Sequence, residues 1–165
     1  VVIPEILKTS YPPFAKRAAK FLEEARAYFQ AKGMDVGIHF AFRTFEVQDG
    51  LYAIGRTIRL TEKKVTKAKG GQSYHNYGIA IDIVFDGNTS KAGMQWSWND
   101  GFPWKELGAI GKKHGFEWAG DWKEFTEMPH FQMTGGLHHT QLLALHKEGG
   151  MKRVWEEFDR LKLAA

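Results

Sequence analysis

Ser73-Tyr74-His75-Asn76-Tyr77-Gly78-Ile79-Ala80-Ile81-Asp82 is the stretch from which the rest of the chain can be ordered, with Glu127-Met128-Pro129-His130-Phe131 as its distant counterpart. The run from Ile79 to Phe85 is dense in β-branched residues and stops at Asp86-Gly87, which predicts a central strand carrying Asp82. A carboxylate there needs a partner, because a buried charge is paired or bound to metal. His75 and His130 with Asp82 make two imidazoles and one carboxylate, the ligand set of a catalytic zinc with one position left for water. Glu127, three residues before His130, could take a proton from that water. A plain salt bridge is the other role open to Asp82. Pro129 drives Met128 towards an extended conformation, so Glu127 and His130 do not share a helix as in an HExxH protease.

Upstream, Phe14, Ala18, Phe21, Leu22, Ala25 and Phe29 recur at the spacing of one helix face, predicting a helix from Phe14 to Lys32 that ends at Gly33. Val36, Ile38, Phe40 and Phe42 then alternate with Gly37, His39, Ala41 and Arg43, a strand whose second face carries His39 and Arg43. Thr44 can cap a helix through Tyr52, with Gly55 as its stop. Arg56 to Gln72 lacks periodicity and holds six basic residues against one acid, Glu62. It reads as a mobile basic loop, either simply solvated or facing an anionic substrate.

Downstream, Asn88 to Pro103 reads as a long loop holding Trp96 and Trp98. Trp104, Leu107 and Ile110 predict a short helix closed by His114-Gly115, where the helix dipole accounts for His114. Phe116-Glu117-Trp118 and His130 to Met133 are short strands. Thr140 to His146 and Met151 to Leu163 are two closing helices, the second with Met151, Val154, Trp155, Phe158 and Leu161 on one face. Trp118 and Trp122 read as packing within the cleft, and His138-His139 as solvent-exposed or as a polar cleft wall.

A chain of 165 residues suits one domain, 1–165, and a separate second domain is not expected. A domain of that size buries roughly 70% of the surface its unfolded chain exposes. There is no apolar run of the ~20 residues a membrane span needs. Without cysteine, disulfides and thiolate zinc sites are excluded, so any metal must sit on His, Asp or Glu. The chain begins at Val1, as a trimmed or mature form would, and Val1 to Leu7 is too short for a signal-peptide core. A net charge of +4 suits an anionic setting, nucleic acid or cell-wall polymer.

The pattern S-x-H-x-x-G-x-A-x-D from Ser73 to Asp82 resembles that of the LAS zinc peptidases of the M15 family. This group takes in D-Ala-D-Ala dipeptidases and carboxypeptidases and the L-alanyl-D-glutamate endopeptidases of bacteria and phages. Arg43-Thr44-Phe45-Glu46-Val47-Gln48 with Leu51-Tyr52 and Gly55-Arg56-Thr57 is similar to the endopeptidase branch, as are Gly115 to Trp122 and Pro129-His130-Phe131. The likeness covers residues 36–133. Two positions depart from it: Glu127 stands where many endopeptidases of the branch have Asp, and Ala119-Gly120 replaces Gly-Gly.

The resemblance implies an α+β fold, with a small antiparallel sheet carrying the metal and helices packed on it, as in D-Ala-D-Ala peptidases and Hedgehog domains. It implies one zinc on His75, Asp82 and His130, with Glu127 as general base and Arg43 as the cation near the substrate carbonyl. Gln48, Ser73 and Trp122 are expected beside the substrate. The activity implied is hydrolysis of a peptidoglycan stem-peptide amide, foremost the L-Ala-D-Glu bond, by a monomer acting on the cell wall, as a secreted or periplasmic enzyme or as a phage lysis protein. A D,D- or L,D-carboxypeptidase or D-Ala-D-Ala dipeptidase is the alternative within the enzyme class, and a metal-bearing binding or signalling module the alternative outside it. Nucleic acid is not expected as a partner; a metal-dependent nuclease would rest only on the basic loop and His75-Asn76.

Overall fold

Pro12 and Pro13 open the first helix, α1 (Pro12–Gln30), where a missing N–H removes no helical bond. The helix therefore starts two residues before the first apolar position of its stripe. Phe14, Ala18, Phe21, Ala25 and Phe29 are buried along one face. The computed structural model describes residues 1–165 and continues into a single five-stranded antiparallel sheet built from β1 (Val36–Phe40), β2 (Ala80–Asp86), β3 (Trp96–Ser97), β4 (Glu117–Trp118) and β5 (His130–Gln132).

The strand order is β1-β2-β5-β4, with β3 also paired to β2. On its side away from β1, β2 pairs first with β5, from Ala80 to Asp82, and then with β3, at Phe85 and Asp86. Successive side chains of a strand point to opposite faces. Ile81, Ile83 and Phe85 are thus buried together, and Phe85 packs edge-on against Phe29 of α1 with ring centroids 5.0 Å apart. Asp82 points to the other face, as a central strand with one chemical position requires.

The helices α2 (Phe45–Ala53), α3 (Trp104–Lys113) and α4 (His139–Arg160) complete the α+β fold. Thr44 caps α2, its hydroxyl accepting from the Val47 N–H at 3.1 Å. Within α4, Gly149 and Gly150 leave helical geometry, so the two closing helices expected from the sequence are present, joined at a break. Val154 and Phe158 are buried, while Leu161 at the end of the stripe is exposed. No helix is long and apolar enough to cross a membrane.

Two expectations fail locally. The loop from Asn88 to Pro103 contains β3, a two-residue strand too short to announce itself by periodicity. The strand expected through Phe42 stops at Phe40, and its register slips: Ile38 lies opposite Ile83 but Phe40 lies opposite Asp82, leaving His39 as an extra residue. Such a bulge re-aims the side chains beyond it, and Phe40 is turned out of the core, 40% exposed. Arg56 to Gln72 has no helix or strand, as expected, but it is pinned where Gln48 donates to the Ala68 carbonyl at 2.9 Å and Gly70 N–H to Asp49 at 2.7 Å.

Two buried phenols join distant segments: Tyr11 donates to Asp159 and Tyr77 to the Gly71 carbonyl, both at 2.6 Å. Burial pushes both pKa values well above the ordinary phenol range, Asp159 adding to the effect at Tyr11. Above pH ~10 the unfolded chain loses these protons while the folded chain keeps them. Stability present below that pH is then lost as pH rises. The urea midpoint is expected to fall steadily above pH ~10, and less steeply for Tyr11→Phe; an equal slope in the variant would clear Tyr11 of this role.

Candidate metal centre

A short 3-10 helix, Tyr74–Tyr77, presents His75. The Ser73 hydroxyl accepts from the His75 N–H at 3.3 Å. Asn76, fully buried, accepts from the Gly71 and Ser73 N–H groups and donates to the Arg43 carbonyl at 2.9 Å. The Arg43 N–H in turn donates to the His75 carbonyl at 3.0 Å, so the turns carrying Arg43 and His75 are held as one unit. Gly78 links this turn to β2 with φ +75°, and a Cβ there would sit 2.7 Å from the Tyr11 backbone nitrogen. The conformation and the space both require glycine.

Asp82 and His130 face each other as Cα partners on β2 and β5. One ligand atom each from His75, Asp82 and His130 lies within 4.8 Å of the others. Asp82 Oδ1 is 3.3 Å from His75 Nε2 and 3.1 Å from His130 Nδ1. Which ring nitrogens carry hydrogen is decided by their outer partners. His75 Nδ1 is 2.7 Å from the Ala41 carbonyl, which can only accept, so this nitrogen donates. Gln132 Nε2 donates to the Glu117 carboxylate at 3.2 Å, which turns Gln132 Oε1 towards His130 Nε2 at 2.7 Å.

The inner nitrogens of both neutral rings therefore aim lone pairs at a carboxylate oxygen, an arrangement that needs a positive charge among them. Burial alone would raise the Asp82 pKa, but the two histidines hold it well below the usual carboxylate range. Burial likewise opposes a charged His130, and Asp82 outweighs it, placing that imidazole above its ordinary value. A proton can answer this demand, and so can a divalent cation. Outer N–H groups anchored to a carbonyl and an amide are what imidazole ligands of a metal require. The donor set fits such an ion.

Glu127 lies beside the cluster with Oε2 3.9 Å from His130 Nδ1 and its side chain 59% exposed. Arg43 is half-buried over the Phe40 ring at 4.7 Å, its Nη1 donating to Gln48 Oε1 at 2.9 Å. Burial pushes the guanidinium below its usual pKa, opposed by Asp82 and Glu127. Gln48, expected beside the substrate, is fully buried with both polar ends engaged inside the protein, so what it contacts is Arg43 and the basic loop. Ser73 is occupied as a helix cap. Trp122 does border the centre, its ring 5.8 Å from that of His130 and its N–H donating to Glu117 at 3.0 Å. Asn76, Glu117 and Gln132 do not stand out in the sequence; the alternation His130-Phe131-Gln132, which returns Gln132 to the ligand face, is the signal that could have found one of them.

A family model described as D-alanyl-D-alanine carboxypeptidase, of the M15 peptidases, matches residues 66–133. The chain is 42% identical over 125 residues to the peptidoglycan L-alanyl-D-glutamate endopeptidase CwlK of Bacillus subtilis, spanning 73% of this chain and 72% of that protein. The chain belongs to the M15 peptidase family. This M15 peptidase is also 35% identical over 85 residues to an L-alanyl-D-glutamate peptidase of a Listeria phage, covering 48% of the chain and 29% of the phage protein. The crystal structure of the Serratia marcescens L-Ala D-Glu endopeptidase ChiX aligns with a TM-score of 0.49 and 19% identity, over 78% of this chain and 83% of that one.

Proposed function

We propose that this M15 peptidase hydrolyses the L-Ala-D-Glu bond of peptidoglycan stem peptides, using one zinc ion on His75, Asp82 and His130 with Glu127 as general base. The observation that carries the chemistry is the Glu127 carboxylate, exposed and 3.9 Å from His130 Nδ1 beside three convergent ligand atoms. The choice of bond is supported by the 42% identity to CwlK.

A zinc ion held there supplies an electrophile for the amide carbonyl and lowers the pKa of a water towards neutrality. Glu127 accepts the proton of the attacking water and later delivers it to the departing amine. Arg43, with its backbone tied to the His75 turn, Nη1 tied to Gln48 and Nε buried, keeps Nη2 as the donor for the oxygen on which charge develops. Gln132 and Ala41 hold the two rings so that their inner nitrogens stay turned to Asp82.

The description of the matching family model supports a second reading, release of a terminal D-alanine by a carboxypeptidase. Digestion of purified peptidoglycan by zinc-loaded protein, with a chelated control and mass spectrometry of the new ends, separates the two. Chelator-sensitive appearance of D-Glu amino termini is expected. Free alanine alone would replace the endopeptidase reading with the carboxypeptidase one, and no product would end both.

A further inference from the structure

Beside the metal centre the sheet carries an aromatic floor. Phe40 is the Cα partner of Asp82 on the neighbouring strand, and the bulge at His39 lets two successive rings gather there, His39 and Phe40 lying 4.4 Å apart. Trp96 and Trp98 each meet the His39 ring edge-on at 5.0 Å. Trp96 reaches across β2 to lie over Gly37, where a Cβ would come within 3.0 Å of its ring. That glycine leaves the space which the indole covers.

The floor is open to solvent: Phe40 is 40% exposed and Trp98 50%. Its hydrogen-bonding capacity is free as well. Four of the six tryptophans donate their indole N–H within the protein: Trp104 to the Asn99 carbonyl, Trp118 to Met128, Trp122 to Glu117 and Trp155 to Tyr77. Trp96 and Trp98 do not.

We propose that His39, Phe40, Trp96 and Trp98 form a carbohydrate subsite that receives the N-acetylmuramic acid ring to which the stem peptide is attached. This rests on the L-Ala-D-Glu reading above. In that substrate the alanine nitrogen is acylated by the lactyl arm of the sugar, so one residue and the arm separate the ring from the scissile carbonyl, about 7 Å at full extension. Phe40 lies one strand, roughly 5 Å, from Asp82, and Gly37, under Trp96, pairs two residues further along β2, another ~7 Å. The floor thus begins and ends where the sugar would fall. Its chemistry matches one face of a pyranose, whose axial C–H groups pack on aromatic faces while its hydroxyls accept from free N–H donors. The other side of the scissile bond carries carboxylates, to which an aromatic floor offers nothing and the basic loop from Arg56 to Lys69 offers cations.

The test compares a disaccharide-tetrapeptide with the same tetrapeptide lacking sugar. Trp98→Ala is expected to lower kcat/KM for the sugar-bearing substrate about three- to tenfold more than for the free peptide. Gly37→Ala, which displaces Trp96 without deleting a ring, is expected to shift the ratio the same way. Equal effects on both substrates, or none, would overturn the subsite. A binding arm is independent of cleavage: the peptide-free disaccharide should perturb the indole N–H resonances of Trp96 and Trp98 and leave that of Trp155 unmoved, and no perturbation would also overturn it. Perturbation without cleavage of either substrate would instead count against the endopeptidase reading and leave the sugar contact standing.

Discussion

Glu127→Gln is expected to lower kcat roughly 10²- to 10⁴-fold while the protein keeps its metal and its melting temperature. The amide has the shape of the acid but cannot take a proton from water. Because the side chain is largely exposed and its one ion-pair contact is the 3.9 Å approach to His130, little folding stability depends on it. Metal content after dialysis, thermal unfolding and turnover of a muropeptide would be measured on the same preparation. A rate within a few-fold of wild type would remove Glu127 from the proton transfer, and loss of metal would reassign it as a ligand.

Gly111→Ala is expected to cost stability through overpacking. In a helix interior, alanine is ordinarily better than glycine by about 0.5–1 kcal/mol. At Gly111 of α3 the new methyl would enter the Phe131 ring and stand 2.9 Å from Phe21 Cζ. Both rings are fully buried, and overpacking of that kind costs about 1–3 kcal/mol. The net cost, up to about 2.5 kcal/mol, lowers the melting temperature by up to about 10 °C, with strain passed to His130 next along β5. Gly50→Ala in α2, where nothing lies within 4 Å of the added carbon, is the control and should gain about 0.5–1 kcal/mol. A Gly111 variant as stable as wild type would mean that α3 can lift off the sheet freely.

The central strand and the grouping of His75, Asp82 and His130 were legible because Asp82 breaks a run of β-branched residues and histidines stand at both ends of the problem. α1, α3 and the last part of α4 were legible from their stripes and α2 from its Thr44 cap, and the two-helix ending survived despite the continuity of α4, since Gly149-Gly150 marks a break in any reading. What escaped depends on register. Nothing in Val36 to Phe42 announces that His39 is an extra residue, because the alternation of the sequence is intact and only pairing with β2 reveals the slip. The surroundings of Gln48 were hidden for the related reason that a helix position beside Arg43 can face out or into the core, and its burial is set by the Ala68 carbonyl 20 residues away. Of the outer hydrogen-bond partners of the histidines, the Ala41 carbonyl is backbone and leaves no side-chain signal, while Gln132 was marked only by the alternation His130-Phe131-Gln132.

The slip at His39 also bears on how the protein avoids its own kind. β1 and β4 are the two outer strands of the sheet path, and an outer strand offers unpaired N–H and C=O groups on which a second chain can nucleate. β4 has only two residues, too few to template anything. β1 has five, but the bulge interrupts its pleat after Ile38 and spoils the even spacing another strand would have to match. The irregularity that gathers rings beside the His75, Asp82 and His130 cluster thus also guards the sheet against edge-to-edge aggregation.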